Sequence, residues 1–129
     1  MVWLESKGQN WTPTVTQSGN VTVTVNRAEY YNRGPLVQIV ATVTVTGSGT
    51  ISNTIRIGNL PYTASHSGSY ETIGTFNLLD SGSFIYNGVL ILWTTTEVVL
   101  QRDGATGYLS GIALAANDVI SIQGEYERA

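Results

Sequence analysis

The stretch VQIVATVTVT at residues 37–46 places an apolar side chain at every second position. Side chains of a β-strand alternate between the two faces of its sheet, so this period predicts a strand with one buried face. Residues 21–25 (VTVTV) and 119–126 (VISIQGEY) continue the same period and predict two further strands. The buried face of the first strand would consist of Val37, Ile39, Ala41, Val43 and Val45.

Turn signals separate the remaining apolar runs and leave no room for a helix of ordinary length. Asn87-Gly88 is the sharpest, because both residues tolerate the positive φ of a two-residue hairpin turn. It predicts that residues 84–86 pair with 89–91. Many short strands joined by turns predict an all-β chain, folded as an antiparallel β-sandwich with jelly-roll topology. The other turn signals are Asn32-Arg33-Gly34, Gly47-Ser48-Gly49 as a hairpin tip, Gly58-Asn59, Ser81-Gly82, Asp103-Gly104 and Asn117-Asp118.

Length and charge limit the classes of protein. A chain of 129 residues suits one two-layer core, which predicts a single β-sandwich domain at 11–129 after an N-terminal arm or linker at 1–10. Only 12% of the residues are charged and the formal net charge is −3, so the chain lacks the clustered Lys and Arg that bind nucleic acid. The most apolar run, 89–93, is too short to span a bilayer, so we expect no membrane insertion.

Residue patterns for catalysis or metal binding are sparse. His66 is the only histidine, and no nucleophile motif surrounds it in the polar stretch 63–69. The chain has no cysteine, so a zinc site within one chain is not expected, although three copies of His66 could meet on a trimer axis. Glu125 and Glu127 share one strand face, where exposed charges discourage aggregation. The sequence therefore predicts no enzyme, no metal and no cofactor.

Exposed aromatic rings are the strongest sign of a ligand site. The chain has three Trp and seven Tyr among many Ser, Thr and Asn residues, a combination suited to sugar rings and their hydroxyl groups. Loops carry binding residues more often than the scaffold beneath them. The ligand-binding candidates are Tyr62, His66 and Tyr70, in or beside one polar loop, and Tyr108 in a glycine-rich one. Four other aromatic residues are expected in the core: Trp11, Tyr30, Phe76 and Trp93.

Four phrases occur in an order that resembles a known family. The chain has a W-T-P-T start at 11–14, and a tyrosine–glycine turn at 30–34 leads into the long alternating strand. A G-x-L-P-[FY] corner follows at 58–62, and a G-x-Y-E ending at 124–127. From Trp11 to Glu127, this order resembles the C-terminal domain of many tail fibres and tail proteins of tailed bacteriophages.

The resemblance implies a β-sandwich at the distal tip of a fibre on the virion, associated as a homotrimer. Such tips contact a receptor on the bacterial surface, commonly a glycan, and have no catalytic residues. The motif residues would be structural, with Pro61 stiffening a corner, Gly34 and Gly58 permitting turns, and Trp11 closing an end of the core. Independently, the run 89–93 is apolar on both faces, which is typical of a strand covered on both sides in a sandwich or a subunit interface.

The leading hypothesis is a non-enzymatic receptor-binding tip whose loops at 62–70 and 106–108 contact a host glycan or protein receptor. The alternative is a structural virion protein, such as a head fibre, capsid-decoration or assembly protein, that docks on other virion proteins. A third hypothesis, an enzyme that degrades surface glycans, requires two close carboxylates or a metal in a cleft.

Overall fold

A computed structural model describes residues 8–51, 53–66, 71–82, 84–102, 109 and 111–129. These residues form ten β-strands and no helix, so the all-β prediction is confirmed. Within the same ranges there is thus no helix long and apolar enough to cross a membrane. The strands are β1 (Gln9–Asn10), β2 (Thr14–Thr16), β3 (Asn20–Val21), β4 (Val23–Arg33), β5 (Leu36–Val45), β6 (Arg56–Gly58), β7 (Glu71–Asp80), β8 (Phe84–Leu92), β9 (Val98–Arg102) and β10 (Val119–Glu127).

All ten strands belong to one antiparallel sheet, in the order β1-β4-β5-β10-β7-β8-β9-β6-β2-β3. The sheet is curled, because β3 at one end continues after a single residue, Thr22, into β4 near the other end. The Thr22 carbonyl accepts hydrogen bonds from the N–H groups of Thr46 and Gly47, at 2.8 and 3.2 Å. The hydrogen bonding defines one curled sheet, and its division into the two layers of a jelly roll stays a prediction.

The two most regular runs of the sequence form neighbouring strands. In β5 the five predicted inward residues are 0–4% exposed, which confirms the alternation. β10 pairs with β5 from Val119 opposite Thr44 to Glu127 opposite Leu36. Its other edge pairs with β7, so the strand that comes last in the chain lies in the middle of the sheet. The inward residues of β10 are the predicted Ile120, Ile122 and Tyr126.

Residues 21–25 keep the predicted alternation of faces, but the burial of the valines decreases along the stretch. Val21 ends β3 and is buried, whereas Val25 on β4 is 38% exposed. Val23 and Val25 lie opposite Val45 and Val43, which are buried, and the β-bulge against β5 begins only after Val25, between Val25 and Arg27. The three valines therefore point to the inner face, as predicted, but Val25 is not buried there.

The hairpin predicted at Asn87-Gly88 is also wrong. β8 continues through both residues and pairs with β7 on one side and β9 on the other. Gly88 is required for a different reason, because a Cβ there would overlap the carbonyl oxygen of Gln101 and lie 2.6 Å from a ring carbon of Phe76. The observed hairpin joins β7 to β8 through Ser81-Gly82 instead, as that turn signal predicted.

Most other described turn signals are confirmed. Gly34 has a φ of +68° between β4 and β5, and Asn59 and Asn117 also have positive φ. The exception is the Gly-Ser-Gly at 47–49, which is not a hairpin tip. It follows β5 on the way to β6, and these two strands are not neighbours in the sheet.

The centre of the run at 89–93 is covered on both faces, as its sequence predicted, whereas Val89 is only partly buried. Leu90 and Leu92 contribute to the hydrophobic core. Ile91 points to the outer face, opposite Val99, and both are buried at 3% and 1% exposure. Trp93 is only partly buried and is not part of the core, contrary to expectation. The other three expected aromatic residues, Trp11, Phe76 and Tyr30, do lie in the core or pack against it.

Candidate functional site

Tyr62 and His66, two of the predicted site residues, lie in the loop that follows β6. Backbone hydrogen bonds hold this loop between two other segments. The N–H of Ala64 donates to the Thr95 carbonyl at 2.8 Å, and the N–H of Ser65 donates to the Glu127 carbonyl at 2.9 Å. The loop is thereby fixed against the β8–β9 connection and the end of β10. Tyr70, Tyr108 and the whole stretch 106–108 lie outside the described residues.

Tyr62 is partly buried and packs against the core, rather than projecting as an exposed ring. Its ring meets that of Tyr30 edge to face, with 5.6 Å between the ring centroids. The guanidinium carbon of Arg128 lies 4.9 Å from the Tyr62 ring centroid. Protein groups thus occupy part of the surface of this ring, and its role in binding a ligand stays a prediction.

Tyr126 fixes the backbone of Tyr62 through two hydrogen bonds. Its hydroxyl donates to the Tyr62 carbonyl at 2.8 Å and accepts from the Tyr62 N–H at 3.1 Å. Burial raises the pKa of the Tyr126 phenol, because the phenolate is poorly solvated there, and the hydrogen bond with the Tyr62 backbone offsets only part of this effect.

We expect Tyr126→Phe to lower the free energy of unfolding by about 1 kcal/mol near neutral pH, because both hydrogen bonds to Tyr62 are lost. The pKa of this phenol is raised in the folded state, so the unfolded chain loses the proton first as the pH rises. The stability that Tyr126 contributes is therefore complete below about pH 10 and decreases above it. Urea unfolding of both proteins near neutral pH and above about pH 10 measures the difference, which should shrink at the higher pH. A constant difference would contradict this assignment.

His66 belongs to an exposed chain of hydrogen bonds. Ser65 Oγ lies 2.9 Å from Nδ1, and Nε2 pairs with the Glu71 carboxylate at the start of β7. The same three residue types form catalytic triads, but there the serine contacts Nε2 and the carboxylate is buried behind Nδ1. Here the order is reversed, and the side chains of His66 and Glu71 are 50% and 43% exposed. The arrangement links the loop to β7 and does not resemble an activated nucleophile.

A polar cleft of about 410 Å³ is lined in part by Glu97, from the β8–β9 connection. It is named the Arg56 cleft here, after the cation in its wall. The β2–β3 turn forms one side, and the segment leading into β6 forms the other. The described side chains that line it are all polar: Thr16, Ser18, Asn53, Thr54, Arg56 and Glu97.

Strand pairing places Arg56 on the outer face of the sheet. It lies opposite Thr16 on β2 and Val99 on β9. Its guanidinium carbon is 5.4 Å from the ring centroid of Trp93, a distance at which a cation is attracted to the ring face. No residue that the structure describes forms an ion pair with Arg56. The aromatic ring therefore orients the guanidinium without neutralising it.

Gln17 is a buried polar residue that supports the β2–β3 turn. It is 1% exposed, and its amide nitrogen donates to the carbonyls of Asn53, at 3.1 Å, and Ile112. Its amide oxygen accepts from the N–H of Leu114 at 3.0 Å. The next residue, Ser18, has a φ of +71°, which residues other than glycine rarely adopt. These hydrogen bonds fix the turn that presents Ser18 beside Asn53.

Gln17, Arg56 and Glu97 carry no signal in the sequence that marks them as site residues. Gln17-Ser18-Gly19 looks like an ordinary polar turn, and no local spacing connects it with Arg56 or Glu97. Within the part of the chain that the structure describes, no group of three or more His, Cys, Asp or Glu residues could hold a metal ion.

Comparisons of the chain with protein-family models, with curated proteins and with solved structures found no match. The chemistry of this chain's own residues is therefore the basis for a functional proposal.

Proposed function

We propose that this chain is a non-enzymatic receptor-binding tip of a bacteriophage fibre, located on the virion, that binds a host-surface glycan as a homotrimer. The Arg56 cleft is the observation that supports binding. Its volume of about 410 Å³ falls within the range of roughly 300–1,000 Å³ that is common for ligand sites. Its walls combine hydroxyl, amide, guanidinium and carboxylate groups, which together donate to and accept from the hydroxyl groups of a sugar.

The curled sheet supports the two-layer, jelly-roll sandwich that we propose for this tip. Strands from both halves of the sheet order contribute to one hydrophobic core, for example Val43 and Ile122 from one half and Ile57 and Leu100 from the other. The chain passes between the two ends of the sheet at Thr22, as strands do at the corners of sandwiches where they switch layers.

The β7–β8 hairpin supports association of identical copies. Leu79, Phe84 and Ile85 are 43%, 60% and 58% exposed, and they lie together around the hairpin turn. Val119 on β10 lies opposite Leu79, which in turn lies opposite Ile85. Phe84 lies opposite Asp80 and points to the other face of the sheet, so Leu79, Ile85 and Val119 are named the hairpin surface. Exposed apolar surface of this kind marks contacts with other proteins, and a homotrimer would present three ligand sites with a gain in avidity.

We expect Ile85→Asp to convert the trimer into a monomer without loss of fold, because a carboxylate in a buried subunit contact is strongly unfavourable. Light scattering should then report the 13.9 kDa of one chain instead of three times that mass. Ile51→Asp is the matched control, since Ile51 is 59% exposed and does not line the depressions around the hairpin. A wild-type protein that is monomeric at all concentrations would contradict the homotrimer, and a trimeric Ile85→Asp variant would contradict this interface.

The leading proposal is tested by binding of the purified protein to host cells, lipopolysaccharide and a glycan array. Binding to cells and to at least one glycan is expected. The absence of all binding at high micromolar concentration would contradict the receptor-binding role. Incubation with a bound polysaccharide, followed by an assay for new reducing ends, tests the non-enzymatic part, and an increase would favour a glycan-degrading enzyme.

A second candidate is a structural virion protein that docks on other virion proteins. The hairpin surface favours it, because the same exposed apolar side chains could contact a different protein as readily as a copy of this chain. Co-sedimentation distinguishes the two candidates. A receptor-binding tip should sediment with host cells, whereas a decoration or assembly protein should sediment with purified capsids or tails.

A further inference from the structure

Arg56 adds a positive charge to its cleft, which the binding of a neutral sugar does not require. Among the described residues, Arg27 pairs with Glu29 at 2.7 Å and Arg33 pairs with Glu125 at 3.7 Å, whereas Arg56, Arg102 and Arg128 lie over aromatic rings without an ion pair. Arg56 pairs with no carboxylate of the described residues, although it lines a cavity beside several hydrogen-bonding groups. A cation that forms no ion pair in the wall of a cleft remains able to bind an anionic ligand.

The geometry of Arg56 favours a carboxylate as that anion. A guanidinium presents a planar fork of N–H donors that matches the two oxygens of a carboxylate. Contact with the Trp93 ring, 5.4 Å from the guanidinium carbon, limits the orientations of the fork before a ligand arrives. A donor that is oriented in advance loses less conformational entropy on binding.

Glu97 gives the same cleft the opposite charge. Its carboxylate accepts a hydrogen bond from the Thr94 hydroxyl at 3.3 Å, which helps to fix its position. It can accept from the hydroxyl groups of a sugar and would repel a ligand carboxylate. The two charges together therefore favour one direction of binding, with the ligand carboxylate toward Arg56 and its hydroxyl groups toward Glu97. One cation with one anion also suits a singly charged ligand better than a doubly charged phosphate monoester.

The β2–β3 turn supplies the remaining polar contacts. Ser18 keeps a positive φ that is unfavourable for its residue type, and backbone of this kind is often found at ligand-binding positions. Asn53 lies beside it, and Gln17 connects the two segments by hydrogen bonds. Hydroxyl and amide groups held in this way can bind the ring hydroxyls of a sugar.

We propose that the Arg56 cleft binds a carboxylate-bearing sugar, the repeating unit of an acidic surface polysaccharide. This inference depends on the proposed function, and it specifies the ligand class. Arg56 would bind the carboxylate in a bidentate manner, while Ser18, Asn53 and Glu97 would bind the hydroxyl groups.

The experiment measures binding of the full chain to uronic-acid oligosaccharides from polygalacturonate, alginate and hyaluronate by calorimetry. The matched ligand is the same oligosaccharide with its carboxyl groups reduced to alcohols. Wild-type protein should bind at least one acidic oligosaccharide at least about 10-fold more tightly than its reduced form, as expected when a charged hydrogen-bonded pair is lost. This comparison does not depend on any variant being folded.

Substitutions of Arg56 test whether this residue binds the ligand carboxylate. Arg56→Gln should reduce affinity for the acidic oligosaccharide at least about 10-fold, and Arg56→Lys should restore only part of it, because an ammonium cannot bind in a bidentate manner. Arg102→Gln is the control, since Arg102 also lies over an aromatic ring, Tyr86 at 5.6 Å, but does not line the cleft. It should bind like the wild type.

The outcomes separate the two proposals. If the acidic and reduced oligosaccharides bind equally, if only neutral glycans or only phosphate-containing polymers bind, or if Arg56→Gln has no effect, the acidic-sugar inference is wrong and receptor binding stands. If none of the acidic oligosaccharides binds, the inference is likewise overturned. If neither host cells nor any glycan bind, the proposed function itself fails.

Discussion

Gly88→Ala is expected to lower the free energy of unfolding by about 3 kcal/mol or more, at the upper end of the usual range for overpacking. The added methyl group would overlap the carbonyl oxygen of Gln101 on β9 and press against the Phe76 ring. One of these neighbours is backbone that is paired with β8, so it cannot move without separating the two strands. Urea unfolding followed by circular dichroism measures the loss.

Gly111→Ala is the matched control for this substitution. A Cβ at Gly111 would meet nothing within 4 Å, so this variant should unfold within about 0.5 kcal/mol of the wild type. The cost of Gly88→Ala also distinguishes a β8 that continues through Gly88 from a hairpin turn at Asn87-Gly88. If Gly88 were a hairpin-turn residue, as its sequence context suggested, the added methyl group would face no neighbouring strand and the cost would be only about 1 kcal/mol. A cost that small would contradict a β8 that continues through Gly88.

Gln17→Leu should lower the free energy of unfolding by about 3 kcal/mol, because a buried polar group without a hydrogen bond costs about 1–3 kcal/mol. The leucine fills a similar volume but leaves the Leu114 N–H and the carbonyls of Asn53 and Ile112 without this partner. Since these bonds also hold the β2–β3 turn beside Asn53, binding in the Arg56 cleft should weaken as well. Urea unfolding measures the first effect, and calorimetry with the bound glycan measures the second.

Gln123→Leu provides the comparison for a glutamine on the surface. Gln123 is exposed, and its amide nitrogen is 3.4 Å from the Thr75 hydroxyl, so its loss should cost no more than about 0.5 kcal/mol. Similar stabilities for the two leucine variants would show that Gln17 does not hold the turn as described. We also expect amide exchange at Leu114 to be faster in Gln17→Leu, because the Leu114 N–H loses its acceptor. Equal or slower exchange would lead to the same conclusion.

Strands with a strict period of two could be predicted because the signal is local to the strand. The buried residues of β5 and β10 follow directly from the alternation of apolar and polar side chains. Two other features could not be predicted. Asn-Gly pairs favour hairpin turns, but the glycine at position 88 is required because a neighbouring strand approaches it closely. The residue type alone does not distinguish these two reasons for a glycine. Val25 lies opposite the buried Val43 yet is 38% exposed. The alternation predicts the face of a side chain but not how far the core extends along that face.

The candidate site was less predictable than the fold, since its residues come together only through strand pairing. Thr16 and Arg56 are adjacent across β2 and β6, although forty positions separate them in the sequence. Gln17 is polar and lies next to a Ser-Gly pair, so the sequence indicates an exposed turn where the structure buries the side chain. Aromatic loop residues were the available signal, and the one whose ring is described, Tyr62, packs against the core.

The central position of β10 determines when the sheet can be completed during translation. Ribosomes synthesise the strands in order, so β5 and β7 leave the ribosome long before the strand that joins them. Until residues 119–127 have been added, both strands have an unpaired edge, and unpaired edges are sites of aggregation. Translation that stops before residue 119 would therefore yield two incomplete sheet fragments rather than a smaller version of the domain.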